Sequence, residues 1–210
     1  MSDPLRLLVF DRTCVGRRFR PGLSDAWSAG GVLYRGLGRL DGALGVTSWN
    51  QALEWLVERS QSTGRPIGEV QFWGHGRRGR AFVAGDALDL DSLRGPSARL
   101  ERLRALRSAF TTDPAARGLW FRTCETLGGE SGQAFARAYS DFFMQRVAGH
   151  THVIGFWQSG LHSLMPGASP GWSAHEGLRD PAAPAAAALA SAPGLPHTIH
   201  CLQGTIPAGW

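Results

Sequence analysis

Three apolar runs constrain any fold of this chain: Leu5–Phe10, Val70–Trp73 and Leu119–Arg122. Each is long enough for a buried strand and too short for a helix. The first ends at Asp11, the second at Gly74-His75-Gly76, and the third at Thr123-Cys124. Helical patterns lie between them. Ser48-Trp49-Asn50-Gln51 has the spacing of a capping box, and Ala52, Trp55 and Leu56 then form one apolar face that Gly64 to Pro66 close off. Ser97 is placed to cap a helix reaching Phe110, with Leu100, Leu103 and Leu106 inward and Arg99, Arg102 and Arg107 outward. Ser131–Val147 carries the strongest helical pattern, with Phe135, Ala138, Tyr139 and Phe142 on one face. Strands alternating with helices give an α/β fold with a mostly parallel sheet and helices on both faces. In such sheets ligands bind beyond the carboxyl ends of the strands.

Other segments read more locally. Leu23–Ala29 is expected to be a short helix stopped by Gly30-Gly31, and Val32–Tyr34 a second strand. Ala81–Val83 and Ala87–Leu90 flank Gly85-Asp86 as a hairpin. Val153–Trp157 is expected to form a further strand. Beyond Gln158 the pattern dissolves into Gly, Pro and Ser. Pro181–Pro193 is an Ala/Pro stretch, a linker or an irregular wrap. The expected organisation is a core over residues 1–158, with an irregular segment, 159–210, packing on or completing it. No internal repeat is present.

Composition removes several function classes. At 210 residues, 43 % hydrophobic and 19 % charged, the chain suits one domain with a sizeable core rather than disorder. No run approaches the ~20 apolar residues of a membrane helix, and the first residues lack the pattern of a signal peptide. The three cysteines, Cys14, Cys124 and Cys201, are too few for a disulfide scaffold, so a cytoplasmic setting is expected. All 22 basic residues are arginine, and Asn50 is the only asparagine. That skew is written by a G/C-rich genome, so a bacterial source is expected. It also discounts nucleic acid as a partner, because the arginines are scattered and stacking aromatics do not alternate with them.

Two of the strands end in residues able to do covalent chemistry, His75 and Cys124. A thiol needs a nearby base or cation to become a reactive thiolate, and imidazole is well poised for that near neutral pH. Gly76 allows close approach of a substrate, and its N–H together with that of Cys124 could hold an oxyanion. The helix after Gly128-Gly129 is expected to lower the thiol pKa through its dipole.

A strand ending in His-Gly followed by a strand ending in Cys resembles the caspase–hemoglobinase group of cysteine peptidases. The local text resembles a bacterial caspase-like domain family more closely. His75-Gly76 is followed by the hairpin Arg77-Arg78-Gly79-Arg80-Ala81-Phe82-Val83. Cys124 is followed by Glu125-Thr126-Leu127-Gly128-Gly129-Glu130-Ser131-Gly132-Gln133-Ala134-Phe135. The resemblance spans roughly Leu5 to Trp157. It implies a caspase-like three-layer sandwich and a Cys-His dyad that cleaves peptide bonds in a protein or peptide substrate. Cys124 would be the nucleophile, His75 the base, and the Gly76 and Cys124 amides the oxyanion hole. The chain departs from the Gln-Ala-Cys-x-Gly of true caspases, having Arg-Thr-Cys124-Glu instead. The alternative is a non-catalytic protein-binding module of the same fold.

Arg17, Arg18 and Arg20 follow the first strand, and Arg77, Arg78 and Arg80 follow His75. Either they form a cationic rim favouring an acidic residue before the cut, or they are surface arginines of codon bias. Arg20, Arg77 and Trp157 are the expected substrate contacts. Trp73, Trp120 and Trp172 either shape the cleft or fill core. Asp11 orients a site residue or forms a loop ion pair. His197-Thr198-Ile199-His200-Cys201 and His150-Thr151-His152 carry ligand types, but no second cluster answers either. Neither a metal nor a cofactor is expected. Trp157 and Leu161 stand where a serine elbow around Ser159 would need glycine.

Overall fold

The computed structural model describes residues 3–16, 21–113, 116–180, 182–183, 186–207 and 209–210. Strand β1 (Leu5–Asp11) lies between β2 (Gly42–Val46) and β3 (Ile67–Trp73). Strands β7 (Gly118–Arg122), β8 (Val147–His150) and β10 (Leu161–Leu164) continue the sheet beyond β3, in the order β10-β8-β7-β3-β1-β2. All pairings are parallel except β10 with β8. The mostly parallel α/β sheet expected from the sequence is therefore present. A small antiparallel sheet of β4 (His75–Arg77), β5 (Arg80–Val83) and β6 (Asp86–Leu88) follows β3 directly. The expected hairpin is present, but its turn is one residue earlier than Gly85-Asp86: the left-handed residues Ala84 and Gly85 make it, and Asp86 already pairs with Val83 in β6.

Alternation along the strands divides the core in two. Leu5, Leu7, Val9, Val70, Phe72, Leu119 and Phe121 face three helices: α2 (Trp49–Thr63), α3 (Ala98–Ala109) and α4 (Gly129–Phe143). Ser48 and Ser97 cap α2 and α3 by accepting the N–H groups of Gln51 and Leu100. The opposite face carries Leu8, Phe10, Trp73 and Trp120. It is covered by α1 (Leu23–Gly36) and by Ile199, Ile206 and Trp210. No helix of the described residues is long and apolar enough to cross a membrane.

Four expectations are corrected. The helix expected over Leu23–Ala29 does not stop at Gly30-Gly31, and Val32–Tyr34 is its last turn rather than a strand. The glycines are packing devices. A Cβ at Gly30 would stand 2.6 Å from the Trp73 ring, and one at Gly31 would stand 3.3 Å from Leu8 and Ala43. Close approach to the sheet overrides their weak helix propensity. Strand β2 was not foreseen, because Gly42-Ala43-Leu44-Gly45-Val46 has neither alternation nor bulk. Helix α4 ends at Phe143, where Met144 adopts φ 52°, so Val147 begins β8 rather than ending the helix. The strand expected over Val153–Trp157 is mostly loop. Val153 makes an isolated bridge to Ala190, and Trp157–Gln158 (β9) pairs with β11 (Ile199–His200). The 159–210 segment also supplies β10 to the central sheet.

Candidate active site

β3 and β7 are parallel neighbours, with Trp73 opposite Arg122, so the residues after each emerge at one edge of the sheet. From β3 the chain passes through Gly74 into β4. His75 is exposed there, its ring edge-on to Trp27 of α1 at 6.0 Å. His75 lines an open groove together with Cys14, Pro21, Leu23, Asp25 and Ala26.

The hairpin that carries His75 is seated on the loop that carries Cys124. A Cβ added at Gly76 would meet the Cys124 carbonyl at 2.6 Å, the Thr123 Cβ at 2.7 Å and the Thr126 hydroxyl closer still. No larger residue fits there without parting the two loops. Gly79 N–H donates to the Thr126 carbonyl at 2.8 Å, and Thr126 and Ser131 donate to the Arg80 and Arg78 carbonyls at 3.3 Å. Thr123 and Thr126 bond to each other inside the loop.

The Cys124 loop is tied to the opposite side as well. Glu125 N–H donates to the His152 carbonyl at 2.9 Å, and Leu127 N–H to that of His150 at 3.0 Å. Glu125 takes a left-handed backbone, φ 40°, uncommon for a residue with a Cβ. The half-buried Cys124 points its sulfur toward the Ile154 carbonyl, 3.9 Å away. Burial, and secondarily the Glu125 carboxylate, push this thiol above its ordinary pKa. The lowering by the α4 dipole depended on Cys124 lying at the helix start, and the geometry does not place it there. Gly128 is the N-cap and Gly129 the first helical residue, so Cys124 precedes the first turn, while the dipole's influence fades within about one turn.

Around the pair, Arg78 and Glu125 approach to 3.3 Å, both nearly buried. Arg78 also donates to the Ala186 carbonyl at 2.6 Å. The sequence named Arg78 only as part of a cationic rim. Arg80, of the same rim, pairs with Asp89 at 3.7 Å. Arg77 lies in β4 opposite Arg80. Arg17, Arg18 and Arg20 lie outside the described residues. Trp157 is 38 % exposed and stands beside Phe156, three residues beyond Ile154. Asp11 is buried. It accepts bonds from Thr13 and from Ala84 N–H at the hairpin's far turn, and its carboxyl lies below the usual range because these bonds outweigh burial. It braces a loop.

The histidines after β8 form a different cluster. His162 on β10 bonds Glu176 at 2.7 Å and approaches His197 at 3.3 Å, with Trp172 stacked on His162 and Trp210 on His197. Thr151 links Glu176 to His152. Among the described residues no group of three or more His, Cys, Asp or Glu is arranged to hold a metal. Two of these histidines, His152 and His197, were visible in the sequence, each in a separate pair; His162 was not singled out. Glu176 and Trp172, which join them, carry no motif.

The chain matches no family model, no curated protein and no solved structure.

Proposed function

We propose that this protein is a cysteine endopeptidase of caspase-like fold, with Cys124 as nucleophile and His75 as general base. The observation that carries the reading is the seating of the His75-Gly76 hairpin on the Cys124 loop, at the carboxyl edge of two adjacent parallel strands. The thiol is protonated at rest, because burial and Glu125 raise its pKa, so the base must act during attack. His75 accepts the thiol proton as sulfur bonds to the scissile carbonyl carbon. The carbonyl oxygen, now negative, is held by the Gly76 and Cys124 amides. His75 then gives the proton to the leaving amine as the C–N bond breaks. Water, deprotonated by His75, hydrolyses the thioester and restores the thiol. Three free cysteines fit a cytoplasmic protein. Arg77, Arg20 and Trp157 are the proposed substrate contacts, with an acidic residue preferred before the cut. No cofactor is invoked.

Cys124→Ala is expected to abolish cleavage of a mixed peptide library scored by mass spectrometry. Retained cleavage removes the reading. A second reading, a protein-binding module without catalysis, is favoured by the sulfur's contact with the Ile154 carbonyl and its raised pKa. It predicts no cleavage by the unmodified protein and alkylation of Cys124 by iodoacetamide slower than that of free cysteine at pH 7.

A further inference from the structure

The carboxylate next to Cys124 is an obstacle to any thiolate chemistry there, and the fold supplies it with a partner from another loop. Glu125 follows Cys124 directly, is nearly buried, and is held by its left-handed backbone and its N–H bond to His152. Left alone, its negative charge would oppose ionisation of the neighbouring thiol. Arg78 reaches it from the His75 hairpin, with Nε 3.3 Å from the carboxylate. Neither atom has a well-aligned hydrogen bond, so the contact is one of charge rather than of a fitted fork. The other end of the guanidinium is fixed by the Ala186 carbonyl at 2.6 Å. The Arg78 stem lies close to Gly128 and Gly129, where added Cβ atoms would stand 3.7 and 3.4 Å from it.

We propose that Arg78 is a positioning residue for Cys124: it cancels the Glu125 charge beside the sulfur and locks the His75 hairpin, the Cys124 loop and the Ala186 strap together. The proposal deepens the peptidase reading, on which it rests for calling Cys124 a nucleophile. Among the described residues, other charged or titratable groups lie on the same hairpin and on the elements packed against it. On the hairpin, Arg80 pairs with Asp89 and His75 abuts Trp27, while Arg77 lies opposite Arg80. On the loop after β8, His152 bonds Thr151, which bonds Glu176. Glu130 at the start of α4 is exposed. Arg78 is the cation that approaches Glu125 to 3.3 Å.

The test is the pH profile of iodoacetamide alkylation, read at Cys124 by peptide mass spectrometry so that Cys14 and Cys201 do not contribute. Arg78→Met is expected to move the Cys124 profile to higher pH and to slow alkylation at pH 7.5 by about threefold to tenfold. Glu125→Gln is expected to move it to lower pH. Arg78→Met combined with Glu125→Gln is expected to return close to the unmodified profile, because the two charges that offset each other are removed together. Arg78→Lys, which keeps the charge, is expected to stay near the unmodified profile. An unchanged profile in Arg78→Met overturns the proposal. So does a double variant that keeps the full shift of Arg78→Met, since loosened loops rather than charge would explain it. If Arg78→Met fails to fold, Glu125→Gln carries the test alone, and an unmoved profile overturns the proposal. Alkylation reads the thiol whether or not peptides are cut. Retained cleavage by Cys124→Ala would therefore sink the peptidase reading without touching this result.

Discussion

The two faces of the sheet are built by different chemistry. The face under α2, α3 and α4 is dry. Phe121 packs on Phe72, Phe135 and Tyr139 at ring separations of 6.5, 5.2 and 6.3 Å, and aliphatic residues of β1 and β3 fill the rest. The face under α1 and the C-terminal segment is wired. Glu69, Gln71 and Trp73 lie in a row along β3, with Gln71 bonding Glu69 at 2.7 Å and Trp73 bonding Gln71 at 3.0 Å. Arg117 closes one end at Glu69, 3.2 Å away. Arg122, fully buried, closes the other, its guanidinium over the rings of Trp120, Trp73 and Tyr34 at 4.6, 5.2 and 5.8 Å. Apolar burial is non-directional and tolerates any covering helix with a matching stripe, whereas buried polar groups each need a particular partner. One face can therefore be covered by three ordinary helices, while the other takes an irregular segment that brings carbonyls and amides to fixed points.

The dry face should respond most strongly to lost volume. Phe121→Ala removes a ring from the centre of the aromatic cluster and is expected to cost about 3–5 kcal/mol in urea unfolding. A loss below about 1 kcal/mol would mean that this face is loosely packed and that the contrast with the wired face is false.

The same contrast decides how much could be read from the text. Apolar runs and helical stripes announce the dry face directly: Leu119 and Phe121, Leu100, Leu103 and Leu106, and Phe135 with Tyr139 all lie where periodicity puts them. The wired face has no period. Gln158, Cys201 and Ser159 are scattered through Gly/Pro/Ala-rich text, and their partners, Arg122 and His150, sit far upstream. Helix α1 was misread for the same reason, since its glycines answer to Trp73 and Leu8, not to their neighbours in the chain. At the candidate site, His75 and Cys124 were visible because each ends a strand. The Arg78–Glu125 contact was hidden because it depends on how a hairpin lies over a loop.

Arg122→Met tests the wiring. Arg122 donates to Gln158 Oε1 at 3.1 and 2.8 Å, to the Tyr34 hydroxyl at 3.0 Å and to the Cys201 carbonyl at 2.9 Å. Methionine fills much of the space but takes both donors from Gln158 Oε1 and leaves the Cys201 carbonyl only its bond from the Tyr34 hydroxyl, so a loss of about 2–4 kcal/mol is expected. Adding Gln158→Leu removes one stranded acceptor and is expected to recover part of that loss. If Arg122→Met is neutral by itself, the buried cation is a burden the fold merely tolerates, and the segment around Cys201 is held by its apolar contacts alone.

The smallest effect sharpens the comparison through pH. His150 is fully buried on the strand next to β7, its Nδ1 3.2 Å from the Ser159 carbonyl and its Nε2 without a partner among the described residues. Burial, and then the nearby Arg122 charge, pull its pKa down to about 3 from 6.5. Between those values the unfolded chain binds a proton that the folded chain refuses, so stability falls as the pH drops from 6.5 toward 3. The slope from this one group approaches about 1.4 kcal/mol per pH unit. His150→Gln removes the titration, so its acid-side slope should be shallower by that amount. At pH 7.5 the variant is expected to lose only about 1 kcal/mol, the worth of one hydrogen bond. The gap between the two proteins should then close as the pH is lowered to 5.5. A gap that stays constant from pH 7.5 to 5.0 would show His150 titrating as it does in the unfolded chain, which a sealed, wired face does not permit.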